Sequence, residues 1–253
     1  MKFSDVAGLV IDMDGVLWRG NEPLPGLVEL FDWLAELAPA RRRAWDAGCG
    51  NGQAALALAA RFEAVVATDP SAGQIAAAAA HPRIDYRVEP AETPSLAPAS
   101  VDLVVVAQAL HWFDPARFHA AVRRVARPRG IVAAWTYGAS RVTPAVDRVF
   151  DRLYAHLDAD WPPERRHVES GYRSLPFPWP ETTAPPFEMG ADWTLGEYLA
   201  YLGTWSASQR HLARTGVDPV AALAAEFSTA WGEQEQRRRV RWPLALRVGR
   251  VGD

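Results

Sequence analysis

Cysteine and lysine are almost missing from this sequence. Cys49 is the one cysteine, so neither an internal disulfide nor a cysteine-based zinc cluster can form. Lys2 is the one lysine, which excludes chemistry that needs a lysine later in the chain. No apolar run approaches the roughly 20 residues that a membrane helix needs, and the first residues lack the apolar run of a signal peptide. We therefore expect a cytoplasmic protein that does not enter a membrane.

The charge balance also excludes one class of partner. The formal net charge is -3, with a sequence pI of about 6.1, so the chain has no general electrostatic attraction for nucleic acid. Short arginine runs at 41–43 and 237–239 are typical of solvated surface. We expect a small molecule rather than a nucleic acid as the partner. The sequence leaves the oligomeric state open.

Short apolar runs alternate with helical patterns through the first part of the chain. This alternation predicts an α/β doubly wound sheet. The run 101–107 is apolar throughout, as expected for the buried centre of a parallel sheet. The predicted strands are 7–11, 44–47, 64–68, 85–88, 101–107 and 130–136, and the predicted helices are 27–37, 53–61, 71–80 and 115–126.

The composition changes after residue 138. Proline and tryptophan are frequent in 160–193, which predicts a long ordered loop or lid. Helical spacing follows in 195–202 and 217–231, and alternation predicts a closing strand over 240–251. Pro243 lacks a backbone N–H, so it favours a sheet edge or the end of a strand.

A glycine-rich loop follows the predicted strand 44–47. Gly48, Gly50 and Gly52 let the backbone turn sharply and approach a ligand closely. Asp69 ends the next strand, where a carboxylate can accept hydrogen bonds from ribose hydroxyls. A nicotinamide or flavin dinucleotide prefers G-x-G-x-x-G, whereas Gln53 occupies the place of that third glycine. The remaining alternative is a glycine-rich turn that binds nothing.

Asp46 decides between the two cofactor classes. Its carboxylate would repel a pyrophosphate, but it could attract the ammonium group of an amino-acid-like ligand. S-adenosyl-L-methionine has such a group and no phosphate, so it is the cofactor that these residues favour.

These motifs resemble those of the class I S-adenosylmethionine-dependent methyltransferases, from about Arg41 to the end of the chain. The phrase Ala107-Gln108-Ala109-Leu110-His111-Trp112-Phe113-Asp114 resembles the trans-aconitate methyltransferase-like branch in particular. The segment 123–130 resembles the family's turn before its fifth strand, with Arg129 in place of a commoner glycine. The resemblance implies a Rossmann-like, seven-stranded, mostly parallel sheet with flanking helices and a helical C-terminal lid, at about 140–235.

The resemblance also implies a set of cofactor-binding residues. The loop would bind the methionine part, Asp69 the ribose, and the residues after the third strand would lie near the adenine. The expected cofactor-binding residues are Asp46, Gly48, Cys49, Gly50, Asn51, Gly52, Asp69, Pro70, Gln74, Ala91, Glu92 and Gln108.

The acceptor site is expected beyond the fourth and fifth strands. His111 and Trp112 lie where ligands bind in open α/β sheets, and they are our candidate catalytic residues. His111 could act as a base or orient the acceptor, and packing of the pocket is the alternative. Aromatic rings would give an apolar pocket, although a core position is the commoner place for any one tryptophan. The candidate substrate-binding residues are Trp135, Tyr137, Tyr172, Arg173, Tyr201 and Trp205.

A second motif lies near the amino terminus. Asp12-Met13-Asp14-Gly15 resembles the first motif of haloacid dehalogenase-like phosphatases, which implies a nucleophilic aspartate and a Mg²⁺ ion. That family also needs a distant lysine, and no lysine follows Lys2. We interpret residues 1–38 as a segment that supplies a strand and a helix, and 39–253 as the methyltransferase domain.

The sequence thus predicts methyl transfer from S-adenosylmethionine to a carboxylate or hydroxyl oxygen of a small molecule. No metal site is expected for this chemistry. A non-catalytic S-adenosylmethionine-binding module is the first alternative. A Mg²⁺-dependent phosphatase that uses Asp12 and Asp14 is the second.

Overall fold

The computed structural model describes the backbone of residues 9–12, 15–19 and 22–252, and the side chains of 24–252. The chain divides into two compact units, which we call the sheet unit and the aromatic unit. The sheet unit comprises Gly26–Gly138, Arg166–Phe187 and Leu244–Asp253, and the aromatic unit comprises Met1–Pro25, Ala139–Arg165 and Glu188–Pro243.

Seven strands form one mixed sheet, which confirms the predicted α/β architecture. The strands are β4 (Arg43–Ala47), β5 (Ala64–Asp69), β6 (Ile84–Val88), β7 (Val101–Ala107), β8 (Ala126–Tyr137), β9 (Glu188–Trp193) and β10 (Arg238–Val251). Their order in the sheet is β6-β5-β4-β7-β8-β10-β9, parallel from β6 to β8 and antiparallel at β10 and β9.

Helices occupy most of the connections between these strands. The α-helices are α1 (Leu27–Leu37), α2 (Gln53–Ala59), α3 (Ala72–Ala77), α4 (Pro115–Val125), α5 (Pro144–His156), α6 (Arg165–Glu169), α7 (Leu195–Thr204), α8 (Ser206–Thr215), α9 (Pro219–Ala222) and α10 (Ala224–Trp231).

The strand order places a topological switch between β4 and β7. The chain runs outward from β4 through β5 to β6, returns to β7 and continues to β8 on the other side. Ligands of open α/β sheets bind outside the carboxyl ends of the strands at such a switch point. The glycine loop follows β4 at this position.

Helix α1 packs against the sheet as its spacing predicted. Its apolar positions Leu27, Leu30, Phe31 and Leu34 are all buried. The ring of Phe31 meets the ring of Trp135 edge-on, with 5.6 Å between the centroids. The helix therefore belongs to the sheet unit, whose first segment begins at Gly26.

The fifth parallel strand begins earlier than predicted. We expected a turn through 123–130, but β8 already starts at Ala126 and pairs with Val101. The next pair joins Leu103 to Ile131, so the residues between form a bulge. Arg129 lies in this bulge with φ of 63°, a left-handed conformation that favours glycine.

Two helix predictions were wrong in extent. Helix α3 ends at Ala77 rather than Ala80, because Ala78 is already extended; Pro82 then disfavours a helical conformation for His81. The single helix predicted over 217–231 is divided into α9 and α10 by Leu223, whose ψ of 3° departs from helical geometry.

The end of the chain holds the largest departure from expectation. The proline-rich segment 160–193 was predicted as a loop, yet it contains α6 and the strand β9. Pro243 was expected at an edge or a strand end, but β10 runs through it. Its partner changes there, from Glu188 of β9 at Pro243 to Tyr137 of β8 at Leu244. The missing N–H is tolerated because it falls where the pairing changes.

The amino-terminal strand does not join the main sheet. A separate antiparallel sheet holds β1 (Leu9–Asp12), β2 (Gly15–Arg19) and β3 (Glu22–Pro23). The strand predicted over 7–11 corresponds to β1. Met13 and Asp14 of the phosphatase-like motif lie outside the described residues, and the side chain of Asp12 is not described.

Two features are absent from the described residues. Among them, no helix is long and apolar enough to cross a membrane. The same residues hold no group of three histidine, cysteine or acidic side chains that could bind a metal ion.

Candidate functional site

The glycine loop has the sharp backbone turns that its sequence predicted. Gly48, Gly50 and Gly52 have φ of 69°, 54° and 84°, values that residues other than glycine rarely adopt. The backbone N–H groups of Gly48 and Cys49 both donate to the carbonyl of Thr68 on β5, at 2.8 and 3.0 Å. The loop is therefore fixed to the neighbouring strand before any ligand binds.

Close neighbours leave no room for side chains on this loop. A Cβ on Gly48 would lie 2.6 Å from the Cβ of Ala109 and 2.9 Å from the ring of Phe113. A Cβ on Gly52 would lie 2.5 Å from Cε1 of Tyr86 and would overlap its hydroxyl. Segments that follow β4 and β7, and a side chain of β6, thus meet at the loop.

Asp46 is buried without a counter-charge. The residue is 0% exposed, and neither carboxylate oxygen has a hydrogen-bond partner among the described residues. Burial raises the pKa of Asp46 to about 7; the nearby N–H of Ala55 lowers it in part, and Asp69 adds to the rise. An unpaired buried carboxylate is costly, so its retention at the loop points to a cationic ligand group.

Asp69 is held by the loop and by its own turn. Its Oδ2 accepts from the N–H of Gly50 at 2.9 Å, and its Oδ1 accepts from the N–H of Ser71 at 2.8 Å. These bonds fix the carboxylate at the carboxyl end of β5, where the sequence predicted a ribose-binding side chain.

The other expected cofactor residues lie in segments at the same edge of the sheet. Cys49 is buried, and burial raises the pKa of its thiol well above the usual range, so it stays neutral. Glu92 accepts from the N–H of Asp114 at 2.9 Å, which joins the segment after β6 to the start of α4. The remaining members lie in the loop, before and within α3, after β6 and just after β7, and they are Asn51, Pro70, Gln74, Ala91 and Gln108.

Gln108 joins the ends of β7 and β8. Its φ is 53°, its amide nitrogen donates to the carbonyl of Tyr137 at 3.2 Å, and its amide oxygen accepts from the hydroxyl of Thr136. Both ends of its side chain are therefore engaged within the protein. Gln108 positions the strand ends that border the expected acceptor site.

His111 and Trp112 occupy a short helical turn just beyond β7. Trp112 is 55% exposed, and its ring lies 4.7 Å from that of His111. The Nδ1 atom of His111 lies 3.1 Å from the hydroxyl of Tyr172. Tyr172 is fully buried with φ of 63°, and its carbonyl accepts from Arg247 at 3.0 Å. A strained, anchored tyrosine thus orients the imidazole.

The predicted acceptor residues have different environments. Trp135 is 1% exposed and packs on Phe31, which is a core position. Tyr137 is also buried, and Arg173 is exposed beside Tyr172. The structure thus brings Tyr172 to His111, while it places Trp135 in the core of the sheet unit.

Tyr201 and Trp205 belong to the aromatic unit. Their rings lie 5.8 Å apart, and Trp242 donates its indole N–H to the hydroxyl of Tyr201 at 3.0 Å. Tyr201 is 2% exposed and Trp205 is 5% exposed. Both side chains are core members of that unit, which is the alternative that the sequence left open for each aromatic residue.

Two residues at the loop were missed by the sequence analysis. The hydroxyl of Tyr86 and the amide nitrogen of Gln53 are buried, and neither has a hydrogen-bond partner among the described residues. Burial raises the pKa of Tyr86 to about 12, with smaller contributions from Cys49 and Asp46, so its hydroxyl keeps its proton. Gln53 was noted as a departure from the dinucleotide pattern, but Tyr86 lies on an ordinary strand and carried no signal.

Comparison with known proteins identifies the family. A methyltransferase-domain model matches residues 45–134. A solved structure from Anaeromyxobacter dehalogenans, described as a type II methyltransferase, is 56% identical with a TM-score of 0.86, over 90% of this chain and 97% of that one. A Dictyostelium discoideum protein that carries a methyltransferase name is 33% identical over 66% of this chain and 65% of its own length.

A further relative has a shorter match. An uncharacterized methyltransferase of Mycobacterium tuberculosis is 42% identical over 46% of each chain. The chain thus spans less than two thirds of these two curated relatives. The match to the Anaeromyxobacter protein, in contrast, covers nearly all of both chains. This chain belongs to the class I S-adenosylmethionine-dependent methyltransferases, whose cofactor is S-adenosyl-L-methionine.

Proposed function

We propose that this protein transfers the methyl group of S-adenosylmethionine to a carboxylate or hydroxyl oxygen of a small molecule. The observation that carries the proposal is Asp46, a fully buried carboxylate without a partner among the described residues, beside a loop that excludes side chains. A cationic group on a ligand without phosphate satisfies this carboxylate. The ammonium group of S-adenosylmethionine has this chemistry.

The loop residues fit the cofactor in three ways. Asp46 would hold the ammonium group, and Asp69 would accept hydrogen bonds from the ribose hydroxyls. The backbone of 48–52 would contact the methionine part, because its glycines allow close approach. The segments that hold Pro70, Gln74, Ala91 and Glu92 would border the adenine.

The cofactor supplies an activated methyl group on a positively charged sulfur. The acceptor oxygen would form a bond to the methyl carbon while the bond between that carbon and sulfur breaks. The electron pair of the broken carbon–sulfur bond would stay on sulfur. The protein mainly has to align the acceptor and exclude water. A carboxylate acceptor needs no base, whereas a hydroxyl must lose its proton. We assign that role to His111, whose ring contacts the exposed Trp112. Arg173 is exposed and follows Tyr172, so we keep it as a candidate substrate-binding residue.

The finer assignments belong to the same proposal. The phrase from Ala107 to Asp114 supports a relationship to the trans-aconitate methyltransferase-like branch, which favours a carboxylate acceptor. We also propose that 39–253 is the methyltransferase domain, with a helical lid at about 140–235. The net charge of -3 supports a partner other than nucleic acid. We also propose a cytoplasmic location.

Turnover with a panel of acceptors tests the proposal. The purified protein is mixed with S-adenosylmethionine and small carboxylic acids or phenols, and S-adenosylhomocysteine is measured. For a hydroxyl acceptor, His111→Gln should lower kcat, because the group that takes the proton is lost. For a carboxylate acceptor, the same variant should act mainly on KM.

Two outcomes would support the alternatives instead. Cofactor binding without S-adenosylhomocysteine formation from any acceptor would indicate a non-catalytic binding module. Mg²⁺-dependent phosphate release that disappears in Asp12→Asn would indicate a phosphatase.

A further inference from the structure

Three polar groups around the glycine loop are buried without partners among the described side chains. They are the carboxylate of Asp46, the amide nitrogen of Gln53 and the hydroxyl of Tyr86. Buried polar groups are nearly always hydrogen-bonded in folded proteins, because each unpaired group costs free energy. Three such groups at one loop therefore indicate a ligand with complementary polar atoms.

The sheet register places Asp46 and Tyr86 in one row. Asp46 pairs with Ala67 of β5, and Ala67 pairs with Tyr86 of β6. Residues aligned in this way project to the same face, and two strand spacings put their backbones roughly 10 Å apart. Ala67 between them contributes only a methyl group. The side chain of Tyr86 reaches the glycine loop, because its hydroxyl overlaps the position of a Cβ on Gly52.

The chemistry of the three groups differs by position. Asp46 can offer negative charge, whereas the hydroxyl of Tyr86 and the amide of Gln53 can donate hydrogen bonds. Gln53 directly follows Gly52, so both donors adjoin the same glycine. The two donors suit the carboxylate of an α-amino acid group, and the carboxylate of Asp46 suits its ammonium.

We propose that Tyr86 and Gln53 bind the carboxylate of the cofactor's amino-acid end, while Asp46 binds its ammonium. This inference rests on the proposed function of the loop, and it adds Tyr86 and Gln53 as the residues that bind the carboxylate. The ring of Tyr86 also packs against Gly52, while its hydroxyl would bind the carboxylate of the cofactor. The cofactor would then be distinguished from nucleosides that lack a zwitterionic tail.

Calorimetric titration with two ligands tests the assignment. S-adenosylhomocysteine carries both charged groups of the tail, whereas decarboxylated S-adenosylmethionine keeps the ammonium and lacks the carboxylate. Tyr86→Phe should weaken S-adenosylhomocysteine binding about tenfold, because a hydrogen bond to a charged group is lost. The same variant should bind the decarboxylated ligand as the wild type does. Gln53→Leu should show the same selectivity by an independent change.

Two control variants separate this effect from general damage. Asp46→Asn should weaken both ligands, since both carry the ammonium. Tyr198→Phe removes another buried hydroxyl, which lies 3.0 Å from that of Ser140 in the aromatic unit, and should leave both affinities unchanged. Thermal unfolding without ligand should show Tyr86→Phe to be no less stable than the wild type, because its hydroxyl has no partner to lose.

The outcomes distinguish this inference from the function beneath it. Equal weakening of both ligands by Tyr86→Phe and Gln53→Leu, or no weakening by either, would overturn the carboxylate assignment alone. Failure of the wild type to bind S-adenosylhomocysteine would overturn the cofactor site and this assignment with it.

Discussion

Asp102 and Asp46 are both buried aspartates of the central sheet, but they lie near opposite ends of the parallel strands. Asp102, near the start of β7, accepts from the backbone N–H groups of Arg42 and Arg43 at 3.1 and 2.9 Å and from Arg127 at 2.9 Å. Asp46, near the end of β4, has no such partner among the described residues. One carboxylate holds the fold together, and the other is kept at a cost to stability.

This contrast assigns different tasks to the two edges of the sheet. At the amino edge, polar groups pair with one another and stabilise the strands. At the carboxyl edge, beside the glycine loop, Asp46 and Tyr86 have polar groups without partners among the described residues, to which a ligand can form hydrogen bonds. Changes at the first edge should therefore alter stability, and changes at the second should alter binding.

The largest expected effect is a loss of stability at the amino edge. Asp102→Ala leaves two backbone N–H groups and the Arg127 guanidinium without their acceptor, so it should lower the free energy of unfolding by about 3 kcal/mol. Chemical denaturation measures this change. Cofactor affinity of the folded variant should match that of the wild type, and a selective loss of affinity would break the comparison.

The next effect is a loss of cofactor affinity at the carboxyl edge. Asp46→Asn keeps the shape of the side chain and removes its charge, so S-adenosylmethionine should bind about a hundredfold more weakly. The ligand-free variant should be as stable as the wild type, or more stable by about 1–2 kcal/mol, because the carboxylate has no partner to lose. Calorimetry and thermal unfolding measure the two quantities. A variant that is much less stable and binds normally would contradict the assignment.

The pH dependence sharpens the same contrast. Burial raises the pKa of Asp46 from 3.8 to about 7, so between these values the folded protein keeps a proton that the unfolded chain has lost. The contribution of Asp46 to the free energy of unfolding therefore falls as pH rises through this window, by up to about 1.4 kcal/mol per pH unit, and levels off above pH 7.

Cofactor affinity should change with pH in the opposite sense, because the ammonium group binds the ionised carboxylate. We expect affinity to rise by up to about tenfold per pH unit below pH 7. Titration of the wild type and Asp46→Asn at several pH values checks this prediction. A slope that persists in Asp46→Asn would assign the effect to another group.

The smallest expected effect lies in the bulge of β8. Arg129 has φ of 63°, and glycine adopts this conformation without the steric cost of a Cβ. Arg129→Gly should therefore raise the free energy of unfolding by about 0.5–1 kcal/mol. Arg129→Ala is the matched control, because it removes the side chain but keeps the Cβ. Equal effects of the two substitutions would show that the backbone conformation is not the cause.

The sequence predicted the parts of this molecule that local patterns determine. The central apolar strand β7, the amphipathic helix α1 and the loop with Asp69 all follow from spacing over a few residues. Arg129 was recognised as a substitute for a commoner glycine, and it does adopt a conformation that favours glycine. The number of strands, seven, was predicted from the family resemblance, because periodicity alone does not give the number of strands in a sheet.

Features that depend on distant pairing were not predictable in this way. Tyr86 reaches the loop because β6 is aligned with β5 and β5 with β4, and nothing in its own strand shows that register. The strand β9 was not predicted, because the prolines and tryptophans before it indicated a loop or lid. Pro243 was expected at a strand end because the change of partner along β10 is a property of the whole sheet.

Calorimetric titration of the wild-type protein and of Asp69→Ala with S-adenosylmethionine at pH 8 tests the central claim most directly. The carboxyl edge of the sheet should bind one cofactor per chain, and Asp69→Ala should weaken that binding sharply, because the ribose loses its acceptor. A wild type that gives no heat of binding, or a variant that binds as tightly as the wild type, would contradict this account of the site.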